Sequence, residues 1–298
     1  MSAFVTGPRT VVVPASSANL GPGFDALGLA LTLYDEIELE VRDRPGVEVE
    51  VEGMGADEVP RDESHLVVRS ARAAFAACGL EQPGLRLRCT NRIPHARGLG
   101  SSSAAIVGGI VAARSVLADP AALDDAAALR LADRIEGHPD NVAAALLGGL
   151  TIAWGAADGA RAIRLPVEAD VVVYVPPTPV RTDVARGLIP AGIPHEDAAH
   201  AAGRAALLVA ALQGHGDALL DATEDRLHQG FRAPAMPDSL ALIERLRADG
   251  VPAVVSGAGP TVLAFCTAEH PAAPLAACVP DGWAVHLLAV DTGGARPS

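Results

Sequence analysis

The chain has 298 residues, half of them hydrophobic and only 3% aromatic, so a folded core has to be built from Ala, Val, Leu and Ile. It carries 36 acidic and 23 basic residues, a formal net charge of −13, which disfavours binding to nucleic acid and to anionic membranes. All the basic residues are arginine, because the sequence contains no lysine. This excludes the Walker A loop, the protein-kinase strand lysine and lysine Schiff-base chemistry.

The cysteines and the lack of targeting patterns bear on the compartment. No two cysteines form a CxxC pair, and we predict four buried, reduced thiols at Cys78, Cys89, Cys266 and Cys278. The first residues lack a basic region followed by an apolar stretch, and no run of about 18 apolar residues occurs. We therefore expect a cytoplasmic protein with small-molecule partners and no nucleic-acid or membrane partner.

The first half of the chain is predicted to mix strands and helices. Alternating or β-branched residues predict strands, and apolar stripes ending near Gly79 or beginning near Pro139 predict helices. The predicted strands are 10–14, 34–41, 47–51, 85–89 and 150–154, and the predicted helices are 64–78, 102–117, 120–136 and 139–147.

The second half begins after the best candidate linker, 155–159. We predict strands at 161–165, 171–175, 253–256, 261–266 and 283–289, with helices at 200–213 and 239–249. The alternation predicts an α+β protein of two domains, 1–160 and 161–298.

A glycine- and serine-rich segment, Gly98-Leu99-Gly100-Ser101-Ser102-Ser103-Ala104, follows a predicted strand and opens a helix. Glycines let the backbone curl around an anion, and the amides of the first helical turn face it. An ordinary glycine turn with serine caps would have the same residues. In a chain without lysine, such a helix end is one of the few places where a triphosphate could bind.

A second polar segment, Glu136-Gly137-His138-Pro139-Asp140-Asn141, joins two predicted helices. A carboxylate at a helix C-terminus is disfavoured unless a cation such as magnesium lies nearby, although Glu136 could also be a solvated surface residue. Pro139 suits the first helical position, which places Asp140 and Asn141 in the first turn. There an acid is stabilising without any chemistry, and His138 could be a cap.

Two further segments are ambiguous when taken alone. Residues 14–25 form a polar, glycine-rich break between apolar strands, in which Asn19 and Asp25 could make local turns. Residues 256–261 form a tight glycine turn that suggests close approach of the backbone to another group.

Together, the four segments resemble the GHMP kinase superfamily, and most closely its homoserine kinase family. The resemblance covers nearly the whole chain, with 14–28, 94–105 and 256–265 similar to the three superfamily motifs. It implies a ribosomal protein S5 domain 2-like N-terminal domain and a ferredoxin-like C-terminal domain. It also implies ATP and Mg²⁺, with L-homoserine as acceptor, and a homodimer.

The resemblance assigns roles to individual residues. His65 would lie near the adenine, where the family usually has asparagine, and Ser102 and Glu136 would hold magnesium. The nucleotide loop would comprise Pro94, His95, Ala96, Arg97, Gly98, Leu99, Gly100, Ser101, Ser102, Ser103 and Ala104. The homoserine site would comprise Asn19, Asp25, His138, Thr182, Arg186 and Arg232.

The catalytic candidates are Asn141, Arg186 and Asp140. Mevalonate-kinase-like relatives use an aspartate base, and the corresponding position here is Asn141, whose amide cannot take a proton. We expect transfer without a strong protein base, with Asp140 as the competing candidate. A sister kinase for another small alcohol and a catalytically silent ligand sensor are the alternative functions.

Overall fold

A computed structural model describes residues 3–298, and its helices pack on two β-sheets. The strands are β1 (Arg9–Asn19), β2 (Gly23–Arg42), β3 (Val47–Gly53), β4 (Gly84–Asn91), β5 (Leu150–Ala156), β6 (Gly159–Leu165), β7 (Asp170–Val175), β8 (Ala253–Val255), β9 (Val262–Phe265), β10 (Ala284–Ala289) and β11 (Arg296–Pro297).

Ten α-helices lie within the described residues, and several of the short ones are near the candidate site. They are α1 (Leu66–Ala77), α2 (Ser101–Ser115), α3 (Asp125–Glu136), α4 (Pro139–Leu147), α5 (Thr182–Gly187), α6 (His195–Leu212), α7 (Leu219–Ala222), α8 (Gln229–Arg232), α9 (Pro237–Ala248) and α10 (Ala272–Ala276).

The first sheet has seven strands in the order β11-β1-β2-β4-β3, with β5 pairing β2 and β6. Along β2, Ile37 and Leu39 are buried, while the glutamates between and beside them are partly exposed. One face of the sheet is therefore exposed to solvent, as predicted. Helices α2 and α4 contact β1 and β2 and join the same hydrophobic core. The first sheet therefore supports the starts of both α2 and α4.

The second sheet has four strands in the order β10-β7-β9-β8, all antiparallel. Helices α9 and α10 pack on it over a core that includes Tyr174 and Val255, and the Tyr174 hydroxyl donates to Leu275 O at 2.7 Å. The mixed α+β architecture predicted from the sequence is confirmed.

The predicted linker at 155–159 is wrong, because these residues belong to the β5–β6 hairpin, with only 157–158 in its turn. Both strands belong to the first sheet, with Ala156 opposite Gly159. The chain passes to the second sheet only between Leu165 and Asp170, and β11 later returns to pair with β1. We therefore propose a domain boundary at 166–169 in place of 160.

The predicted loop at 14–25 is also wrong, because β1 continues to Asn19 and β2 begins at Gly23. Two irregularities in register, at Pro14/Ala15 and Ala18/Asn19, bend the pair of strands. Ser16 and Ser17 are fully buried. The polar residues that resembled a loop are instead directed inward from a bent strand.

Two smaller predictions have mixed outcomes. The helix predicted over 120–136 begins at Asp125, because the Asp124 carboxylate caps it by accepting from Ala127 N at 2.7 Å. All four cysteines are free, but only Cys89 is buried; Cys78 and Cys266 are half-buried and Cys278 is exposed, so the prediction of four buried thiols is wrong for these three. Within residues 3–298, no helix combines the length and apolar character needed to cross a membrane.

Candidate active site

A cavity of about 360 Å³ is lined by residues from both halves of the chain. Ser102, at the start of α2, and Asn141, near the start of α4, contribute from the first half. Arg186, Arg232 and Gly257 contribute from the second half. The predicted substrate residues line this cavity apart from Asp25, which joins it through Arg186.

The glycine–serine segment forms one wall of the cavity and needs its glycines. Gly98 and Gly100 have φ values of +78° and +69°, in the left-handed region. A Cβ atom on Gly98 would lie 2.3 Å from Ser256 O, and one on Gly100 would lie 2.1 Å from Ser16 Oγ. Any other residue would therefore push the loop away from the neighbouring motif segments.

Helix α2 begins at Ser101 with no side-chain cap and no acidic residue in its first turn. Its first amides and the positive end of its dipole are thus available to an anion. Ser101 and Ser102 line the cavity at this point. This geometry suits an anion such as a phosphate group.

The remaining loop residues contribute mainly through the backbone. The Arg97 guanidinium donates to the carbonyls of His95, Pro176 and Pro177. Its side chain is therefore bonded to the protein backbone and does not line the cavity. Pro94, Leu99 and Ala104 are buried. Ala96 lines the cavity and has a φ of +51°.

Ser102, Ser103 and Glu136 meet at the cavity edge. The two serine hydroxyls donate to the same Glu136 oxygen, Oε1, each at 2.7 Å. Glu136 is the last residue of α3, where its charge opposes the helix dipole. A carboxylate with adjacent hydroxyls is the hard oxygen donor set that Mg²⁺ accepts alongside substrate phosphates, so these residues fit a magnesium ion.

A second cavity, of about 290 Å³, shares Ser101 and Ser102 with the first and is lined by His65 and His95. His65 is the N-cap of α1, where its Nδ1 accepts from Val67 N at 3.3 Å. Burial lowers the pKa of His65, which favours the neutral ring that this contact needs. The predicted base-pocket residue thus lines a cavity that also reaches the uncapped N-terminus of α2.

The N-cap and first turn of α4 carry three candidate residues. His138 Nδ1 lies 2.8 Å from Asp140 Oδ1, and the same oxygen accepts from Asn141 N at 2.7 Å. Ser16 Oγ donates to Asn141 Oδ1 at 2.9 Å. Because Asp140 accepts the hydrogen bond and carries the opposite charge, the pKa of His138 is raised despite burial.

Two arginines, Arg186 and Arg232, line the cavity. The Arg186 guanidinium donates to both oxygens of Asp25, and this contact raises the pKa of Arg186. Arg232 is fully buried, and burial with the nearby Arg186 charge lowers its pKa to about 10. Thr182, the exposed first residue of α5, also lines the cavity.

The three motif segments are bound to one another. Ser256 Oγ donates to Gly98 O at 2.7 Å and lies 2.8 Å from Ser17 Oγ. Asn19 Nδ2 donates to Gly257 O at 2.7 Å, and its Oδ1 accepts from Asp25 N at 3.0 Å. Segments far apart in the chain thus form one continuous wall of the cavity.

Several residues of the site were missed by the sequence predictions. Arg181 and Asp183 line the cavity mouth and pair with each other, and Ser16 contacts Asn141. His228 is buried against Arg232. Of these residues, only Ser16 could have been predicted from the sequence, because it lies inside the first motif.

Two family profiles match the chain: GHMP kinases N terminal domain over residues 65–149 and GHMP kinases C terminal over 204–284. The homoserine kinase of Streptomyces avermitilis is 57% identical, covering 98% of this chain and 96% of its own length. That of Clavibacter michiganensis subsp. michiganensis is 52% identical, covering 98% and 95%. The crystal structure of homoserine kinase from Cytophaga hutchinsonii superposes with a TM-score of 0.88 at 26% identity, covering 98% and 97%.

Proposed function

The chain belongs to the GHMP kinase superfamily and, within it, to the homoserine kinase family, and we propose that it converts ATP and L-homoserine to ADP and O-phospho-L-homoserine. The resemblance inferred from the motif segments is confirmed by the family and homoserine kinase matches. The reaction supplies a phosphorylated precursor for threonine biosynthesis. The two-domain fold predicted from that resemblance is confirmed as well.

One observation carries the choice of substrate: the same cavity is lined by the start of α2 and by Arg186. The α2 N-terminus has no side-chain cap, and Arg186 is paired with Asp25. Homoserine is a zwitterion, so its ammonium requires an anion and its carboxylate a cation. Asp25 offers the first, while Arg186 and Arg232 offer the second.

Phosphoryl transfer depends mainly on alignment and on neutralising charge. The backbone of residues 98–102 and the positive end of α2 would hold the triphosphate in place of a lysine. Ser102 and Glu136 would hold Mg²⁺, which neutralises phosphate charge when bound. Asn19 and Thr182 would help to position the amino acid.

The acceptor hydroxyl would be oriented by Asn141, with its proton passing to phosphate or solvent. Asn141 is itself anchored by Ser16 on one side, and its backbone amide donates to Asp140. The Asp140 oxygen that accepts from this amide also contacts His138, so it is engaged within the first turn of α4. These contacts favour a positioning role for Asp140 over that of a base.

The decisive experiment is a coupled ADP-release assay with homoserine, mevalonate, galactose and serine as acceptors. We expect release with homoserine far above that with the other three. Release with mevalonate instead would favour the sister-kinase alternative, and no release with any acceptor would favour the ligand sensor. Cytoplasmic localisation and a homodimer stay predictions, and sedimentation equilibrium tests the dimer.

A further inference from the structure

His228 lies behind the substrate cavity and is fully buried. It precedes the short helix α8, which carries Arg232. Its Nε2 lies 2.8 Å from Gly21 O, and its Nδ1 lies 3.0 Å from Arg232 Nη1. The ring also packs on Phe24, with the ring centres 5.1 Å apart. His228 therefore joins the first motif to an arginine that lines the cavity.

These partners determine the tautomer of His228. A guanidinium can only donate hydrogen bonds, so Nδ1 has to present a lone pair to Arg232. The ring proton is then on Nε2, where it donates to Gly21 O. A doubly protonated ring could not accept from Arg232 and would place a second cation beside it. Burial lowers the pKa of His228, in keeping with a neutral ring.

The hydrogen bonds of Arg232 are concentrated on one nitrogen. Nη1 donates to His228 Nδ1 and to Gly257 O, the latter at 3.1 Å. Both of its hydrogens are thus used, whereas Nε is buried and has no partner among the described residues. The hydrogens on Nε and Nη2 remain as a two-donor edge, which is the geometry that binds a carboxylate.

We propose that His228 is a positioning residue for the substrate carboxylate. As a neutral acceptor it holds Nη1 of Arg232, and so orients the remaining edge of the guanidinium for homoserine. This inference rests on the proposed function, because it assigns the carboxylate of that substrate to Arg232. His228 itself has no exposed surface and acts only through Arg232.

Three substitutions separate an acceptor role from packing. His228→Leu fills the space without an acceptor, and His228→Gln places an amide near the Nε2 position while losing the Nδ1 acceptor. His228→Asn keeps an oxygen near the Nδ1 position. Each is assayed with homoserine and with 3-aminopropan-1-ol, which is homoserine without its carboxylate. His215→Gln, at an exposed histidine, is the matched control.

We expect the leucine and glutamine variants to raise the KM for homoserine by roughly 10-fold or more, because a buried donor loses its acceptor. The KM for ATP and the turnover of 3-aminopropan-1-ol should stay close to wild type, and the asparagine variant should be largely rescued. In an Arg232→Met background, adding His228→Leu should raise the KM no further, because the two changes act on one interaction.

Three results would overturn the proposal while homoserine is still phosphorylated by the wild type. They are a leucine variant with a wild-type KM for homoserine, an equal loss with both acceptors, and an asparagine variant no better than leucine. A wild-type chain that phosphorylates no homoserine would overturn the proposed function and this inference together. Circular dichroism melting identifies a variant that fails to fold, in which case the glutamine and asparagine pair decides.

Discussion

The guanidinium of Arg186 and the carboxylate of Asp25 face each other as a two-point ion pair, with Nη1–Oδ2 and Nη2–Oδ1 distances of 3.0 and 2.6 Å. Both side chains are about one-third exposed, at 35% and 37%. In the free protein, Arg186 and Asp25 neutralise each other. The carboxylate and ammonium of the proposed substrate would have to replace these two partners. A bound zwitterion can replace the pair because it brings both charges, which favours it over uncharged alcohols.

Arg186→Met should raise the KM for homoserine by roughly 10-fold or more, because one of the two guanidinium groups proposed for the carboxylate is lost. The KM for ATP should change little, since the side-chain hydrogen bonds of Arg186 are to Asp25 and none is to the nucleotide loop. Steady-state kinetics with each substrate varied in turn measures the split. Arg161→Met, in the exposed β5–β6 hairpin, is the control. Equal increases in both KM values would contradict the assignment.

Glu136→Gln should raise the Mg²⁺ concentration needed for half-maximal activity by at least roughly 10-fold. The amide keeps an oxygen acceptor for Ser102 and Ser103 but loses the charge that attracts the cation. A magnesium titration at saturating ATP and homoserine measures the shift. Glu244→Gln, at an exposed position of α9, serves as control. An unchanged magnesium requirement would remove Glu136 from the metal site.

Asn141→Ala should lower kcat more than Asp140→Asn does, because we assign orientation of the hydroxyl to Asn141 and no proton abstraction to Asp140. Loss of a general base typically costs roughly 10² to 10⁴ in rate, so Asp140→Asn should cost less than that range. Single-turnover kinetics with bound substrates separates chemistry from binding. If Asp140→Asn abolished turnover with binding intact and Asn141→Ala barely changed it, Asp140 would be the base.

The stabilising effect of the His138–Asp140 contact should decrease as pH rises. The pKa of His138 is raised in the folded protein by Asp140 from its ordinary value of 6.5. Its contribution to the free energy of unfolding is complete below 6.5 and is lost as pH rises through the folded-state pKa. Urea unfolding of wild type and His138→Gln across this range should show a difference that shrinks with increasing pH. A difference independent of pH would contradict this.

The sequence could predict most of the architecture and much of the site. The segment from Gly98 to Ala104 is recognisable because the backbone before α2 has positive φ at Gly98 and Gly100, which favours glycine. Pro139 likewise marks the start of α4. These features can be read from the sequence because they depend on residues that are neighbours in the chain.

Features that depend on distant partners could not be predicted. Nothing near His228 in the chain distinguishes it from a surface cap, since its role comes from Gly21 and Arg232 in the fold. Gly155 and Gly159 are as typical of a hairpin turn as of a linker, and only the pairing of β5 with β6 decides between them. Likewise, Ser17 of β1 is buried in contact with Ser256 from the second half of the chain.

The mutual contacts of the three motif segments have a consequence for protein engineering. Ser17, Gly98 and Ser256 are joined through one serine hydroxyl, and Asn19 reaches Gly257 on the same wall. A chimaera that takes only one of these segments from a distant relative would mismatch two junctions at once. Substrate preference in this scaffold should therefore be exchanged with the three segments transferred as a single cassette.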